Sequence, residues 1–122
     1  MFEVGATARF VAFHSMPSQP PPESERHAHD YRVEVVAERE RLDDRGMVCD
    51  LDVVTSCLAE AIDRARNRDL ADVCGTREVT VEVLATWIHR QLAAKLKSDG
   101  AEVLAVRVWE SEEAFGGIRE RL

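Results

Sequence analysis

The chain lacks any apolar run approaching the roughly 20 residues of a membrane span, and its opening, MFEVGATARF, lacks the basic-then-apolar layout of a secretory signal. A cytoplasmic protein with no membrane partner is the expectation. Blocks of positive charge are also missing: the net charge is −7, the pI about 5.1, and acidic and basic residues are interspersed. That balance argues against a phosphate backbone as the main ligand, so no nucleic acid is expected. Cysteine is scarce. Cys49, Cys57 and Cys74 are odd in number and form no CxxC spacing, which excludes both a disulfide framework and a cysteine-type zinc site and leaves buried or idle thiols. A length of 122 residues is enough for one core and not for two, so residues 1–122 are expected to form a single domain with one site.

What is present is periodicity. From residue 2 to residue 14, Val4, Ala6, Ala8, Phe10 and Ala12 share one parity while Glu3, Thr7 and Arg9 share the other, which predicts a long strand with one buried face ending in His14. Four prolines in SMPSQPPPESER, residues 15–26, then forbid regular structure and predict an exposed loop. From His27 onward His29, Tyr31, Val33 and Val35 alternate with Asp30, Arg32 and Glu34, a second strand with an apolar face. DDRG, residues 43–46, predicts a turn, followed by a short strand over Met47, Val48 and Cys49 and a helix capped by Asp50. Val54, Leu58, Ala61, Ile62 and Ala65 mark the packed face of that helix, with Arg64, Arg66 and Arg68 on or near the other. A second helix is predicted from about Thr80 to Gly100, with Leu84, Ile88, Leu92 and Leu96 on one face, and a last strand over 102–110. One more short strand can follow Glu113. This order predicts an α+β fold, an antiparallel sheet with two helices on one face.

Residues of chemical interest fall at the strand ends. Residues two apart in a strand point the same way, so His27 and His29 face one side, and a hairpin-like return across the proline-rich loop brings His14 to them. Three neutral imidazoles with an open fourth position make a catalytic zinc arrangement; the alternative is histidines that only satisfy hydrogen bonds. Glu110 continues the buried stripe of Leu104, Val106 and Val108, which is costly for a carboxylate unless something donates to it. It is either a solvated strand end or a fork for the N–H groups of an amino-pyrimidinone ring. His89, mid-helix with no partner at i+3 or i+4, is expected to be solvated.

Taken in order, FVAFH (10–14), HAHDYRVEV (27–35), GMVCDL (46–51), LADVCG (70–75), VTVEVLATWI (79–88) and VRVWES (106–111) resemble the successive motifs of the 6-pyruvoyltetrahydropterin and 6-carboxytetrahydropterin synthase family. The resemblance covers nearly the whole chain. It implies the tunnelling fold, a four-stranded antiparallel sheet with two helices, assembling as a homo-oligomer of trimers or hexamers with sites between subunits. It further implies zinc on His14, His27 and His29, a pterin-like small molecule anchored by Glu110, and Thr80 and Glu82 either framing the pocket or capping the helix.

Departures from the family pattern bear on the chemistry. Ala28 replaces the central glycine of HGH, and Val79 replaces the proline of PTxE. Glu23 stands where the catalytic cysteine is expected, four residues before His27, with Glu25 as the nearby alternative. Arg66 and Asn67 stand at the Asp-His positions, and Asp63 could replace the aspartate only with a shifted helix register. A family branch in which glutamate takes the role of the cysteine, and dihydroneopterin loses part of its side chain, matches Glu23. The resemblance thus implies a zinc-dependent lyase with non-standard catalytic residues. The alternatives are a homologue turned to a non-pterin substrate in a specialised pathway, or a non-catalytic ligand-binding oligomer.

Overall fold

A computed structural model describes residues 1–122. Alternation in the sequence becomes two long strands, β1 (Phe2–His14) and β2 (His27–Arg39), paired antiparallel in unbroken register from Phe2 opposite Arg39 to His14 opposite His27. β3 (Val103–Trp109) pairs with β2, and β4 (Phe115–Arg121) pairs with β3, both antiparallel, giving the order β1-β2-β3-β4. The strand after Glu113 is therefore a full member of the sheet.

Three helices, not two, cover one face of this sheet. α1 (Leu51–Ala65) is capped by the Asp50 carboxylate, which accepts the Asp52 N–H, and it buries the five apolar positions that its spacing marks. α2 (Leu70–Cys74) is a single short turn of helix between an Asp69 cap and Gly75 in the left-handed region, too short to show a hydrophobic period. α3 (Val81–Ser98) begins at Thr80, whose hydroxyl accepts the Val83 N–H at 3.1 Å. Arg64 alone of the three arginines lies within α1; Arg66 is its C-cap and Arg68 follows. The short strand expected over Met47–Cys49 does not form. Val48 and Cys49 are buried, yet the segment is irregular, held by Met47 N–H and Asp43 N–H contacts across the turn rather than by a ladder.

Between sheet and helices lies one continuous apolar core, including Phe10, Tyr31, Val33 and Val35 from the strands and Leu58, Leu84, Ile88 and Leu92 from the helices. His89 belongs to this layer and is not solvated. It is 4% exposed, and its Nε2 lies 3.1 Å from the Leu104 carbonyl oxygen. The opposite face of the sheet is charged, crossed by the pairs Arg9–Asp30, Arg107–Glu34 and Arg119–Glu38 and by Arg32 stacked on Trp109. No helix is long and apolar enough to cross a membrane.

Candidate metal centre and pocket

The register that sets His14 opposite His27 does the main work of building the site. Because β1 enters the loop and β2 leaves it on the same parity, the three imidazoles converge at the sheet end, with ligand atoms all within 4.8 Å of one another. His14 Nδ1 donates to the Val79 carbonyl at 2.8 Å, which leaves its Nε2 carrying the lone pair. That Nε2 is buried and has no hydrogen-bond partner. His27 Nδ1 likewise lies 2.8 Å from the Glu25 carbonyl, and its Nε2 stands 3.1 Å from His29 Nε2.

Two rings whose outer nitrogens are tied to backbone carbonyls and whose inner nitrogens face one another have the orientation of metal-bound histidines. Burial, followed by the neighbouring His14, holds the pKa of His29 below its ordinary value against the opposing pull of Glu110 at 4.0 Å, so its nitrogen also stays free to act as a ligand. The donor set fits a zinc-class cation: three imidazoles, one orphaned and buried nitrogen, and room on the fourth side.

That room is a cavity of about 680 Å³. His14, Glu23, His27, His29, Thr80, Glu82 and Glu110 all line it, so every residue singled out from the sequence comes to one place. Met16, Gln19 and Pro22 from the loop and Val81 from α3 complete the wall. The loop is folded on itself, with Met16 N–H donating to the Glu23 carbonyl at 2.7 Å, and it is fastened to the chain before α3 by Ser18, whose hydroxyl and N–H both donate to Glu78. Glu25 supplies only a carbonyl to His27 and does not line the cavity.

Asp63, Arg66, Asn67 and Cys49 also lie outside its lining. Asp63 and Arg66 pair with each other at 3.8 Å, and Asn67 adopts φ 59° where its N–H bonds the edge of β1 at Val11. Burial, then Asp99 and Asp50, pushes the Cys49 thiol up to about 11, and burial alone does the same to Cys74. Neither is a ready thiolate at neutral pH. Tyr31, beneath His29 with ring centroids 5.5 Å apart, is held in its neutral form by burial and by the Glu110 charge.

An antiparallel sheet carrying three histidines at one end, with helices on a single face and an acid-lined pocket beside them, defines a metal-site α+β protein of tunnelling-fold type. Residues 3–121 match the model of the family described as 6-pyruvoyl tetrahydropterin synthase, and the chain belongs to that family, a family of pterin lyases. Solved structures with the same fold include 6-pyruvoyl tetrahydropterin synthase from Plasmodium falciparum, with 14% identity, 99% of this chain and 98% of that one covered, and a TM-score of 0.79. The Caenorhabditis elegans synthase has 18% identity, 98% and 95% coverage, and a TM-score of 0.73. A Plasmodium vivax synthase described as a catalytic-residue mutant, with alanine in place of a glutamate, has 13% identity, 99% and 98% coverage, and a TM-score of 0.80. No curated protein matches the chain.

Proposed function

We propose that this protein is a zinc-dependent lyase that cleaves the side chain of a dihydropterin or a closely related hydroxylated compound, with Glu23 as its proton-transfer group. The observation that carries this is the meeting of Glu23 with His14, His27, His29 and Glu110 around one cavity, while the positions of the standard aspartate and histidine lie outside it. A glutamate counted as the catalytic residue of a Plasmodium vivax relative supports the same role for Glu23.

His14, His27 and His29 would hold the metal, which when bound polarises side-chain oxygens of the ligand and favours their ionised form. Glu110 would accept two N–H bonds from the amino-pyrimidinone ring, a charge-assisted fork that sets the ring's direction in the pocket. Thr80 and Glu82 frame the ring side, Thr80 serving also as the cap of α3. Glu23 then takes the proton of the hydroxyl on the second side-chain carbon. The bond between the first and second carbons breaks as that oxygen becomes an aldehyde, and its electron pair moves into the ring system. Return of the proton from Glu23 to the first carbon leaves 6-hydroxymethyldihydropterin and glycolaldehyde. One carboxylate thus acts as base and then as acid.

In this proposal the chain is one domain, acts as a homo-oligomer, and works in the cytoplasm, where its three free thiols are at home. The test is mass spectrometry of the products formed by zinc-loaded protein from dihydroneopterin and, separately, dihydroneopterin triphosphate, beside a Glu23→Ala control. A shortened pterin that disappears in the control is the expected result. Absence of any pterin product from zinc-loaded protein would overturn the assignment.

A further inference from the structure

The walls of the pocket carry charge of one sign only. Glu23, Glu82 and Glu110 contribute three carboxylates, and no lysine or arginine lines the cavity. The nearest cation along the chain, Arg26, is engaged elsewhere. Its guanidinium lies 4.1 Å from the centre of the Phe13 ring and is bonded to Asp69 at 3.3 Å, in a separate depression.

One feature that favours anions does reach the pocket, the N-terminus of α3, but the chain meets it internally. Thr80 accepts the Val83 N–H, and Glu82 sets its own carboxylate in the first turn against the positive end of the helix. Glu82 is also confined in place: a Cβ on Gly116 would stand 3.0 Å from its Oε1 and 2.6 Å from a Val81 methyl, so only glycine leaves space for this side chain where it lies. A divalent ion on the histidines would offset two of the three carboxylate charges, which leaves the pocket negative overall.

We propose that the pocket selects an unphosphorylated, hydroxylated dihydropterin and discriminates against the corresponding triphosphate ester through the carboxylates of Glu23, Glu82 and Glu110. This rests on the function proposed above and specifies its substrate class. Sites that take polyphosphates surround them with Arg, Lys, a bound cation or open helix N-termini, so that each ionised oxygen finds a partner. Here a triphosphate would enter a concave, partly water-excluded space facing like charges, where repulsion is stronger than in bulk water. The hydroxyls of an uncharged side chain meet the same carboxylates as hydrogen-bond acceptors, with no such cost.

The experiment is a fluorescence titration of zinc-loaded protein with neopterin and with neopterin triphosphate, with metal content checked after each titration. It is run at low and high sodium chloride, in the wild type and in Glu23→Gln and Glu82→Gln. Neopterin is expected to bind at least about tenfold more tightly at low salt, the size of effect a few partly screened like charges produce. The ratio should narrow at high salt and in each glutamine variant. Equal or tighter binding of the triphosphate at low salt would overturn the proposal, as would a ratio that neither variant changes. If the triphosphate binds more tightly while Glu23-dependent turnover is still observed, the substrate class falls and the lyase assignment stands; if neither pterin binds, both fall.

Discussion

His14 Nδ1 and the carbonyl oxygen of Val79 stand 2.8 Å apart, joining the last residue of β1 to the residue just before the cap of α3. Because that carbonyl can only accept, the hydrogen on His14 is fixed on Nδ1 and the lone pair on Nε2 faces His27 and His29. The helix cap and the metal centre are therefore one construction. The same segment that starts α3 at Thr80 also selects the tautomer that a cation requires.

If the orphaned Nε2 of His14 is a metal ligand, His14→Ala should lower zinc retention after dialysis by at least about tenfold, since loss of even an outer-sphere partner costs about that much. His89→Ala, at a buried histidine with no place in the cluster, should retain zinc at the wild-type level. Metal analysis of the two purified variants decides the matter, and equal zinc in both would remove His14 from the centre.

Glu110 follows β3 directly and keeps a side chain that is 39% exposed, close enough to His29 for a 4.0 Å approach. Glu110→Gln retains the shape and loses the charge that strengthens a two-pronged bond to a pterin ring. Affinity for neopterin should fall by about tenfold or more, the scale of one charge-assisted hydrogen bond, with zinc content unchanged. Unaltered affinity would assign ring recognition to other groups.

The sequence carries the sheet almost entirely. Alternation from Phe2 to His14 and from His27 onward sets both the strands and the parity that gathers the three histidines, since a strand offers only two faces. Helix caps at Asp50 and Thr80 are equally visible, because short oxygen-bearing side chains there do one recognisable job. His89 escapes a search for metal partners, although its signal is present: it stands four residues after Ala85 and three before Leu92, on the buried stripe of α3. α2 is too short for periodicity, and only Asp69 and Gly75 mark its ends. Met16 and Gln19 reach the pocket through the fold of a loop whose shape depends on distant Glu78, a contact that no local spacing encodes.

His89 also yields a stability prediction that separates structure from chemistry. Its ring fills space between α3 and β3 and its Nε2 lies 3.1 Å from the Leu104 carbonyl. His89→Ala should destabilise the fold by about 2–3 kcal/mol, combining a cavity with a lost buried hydrogen bond. Urea unfolding of the metal-free proteins gives the number, and a change below about 0.5 kcal/mol, within the range of ordinary surface substitutions, would contradict the packing role.

The Ser18–Glu78 contact should make the pocket loop sensitive to acid. The side-chain and N–H bonds from Ser18 hold the Glu78 carboxyl below the usual glutamate range. A carboxylate whose pKa is depressed by folding contributes its stabilisation in full above the ordinary glutamate value, and loses it as pH falls through the lowered one. The attachment should therefore be complete at neutral pH and weaken from about pH 4 downward, the range in which such a carboxyl takes up its proton. Glu78→Gln keeps acceptor capacity on one atom without the charge, so it should loosen the loop at neutral pH and remove the added acid sensitivity. Hydrogen exchange of residues 16 to 20, compared between the two proteins from pH 7 down to about pH 3 after correction for the intrinsic rate, reads this directly. The wild-type loop should lose protection in the acid range where the variant changes little, and parallel curves would show that Glu78 does not anchor it.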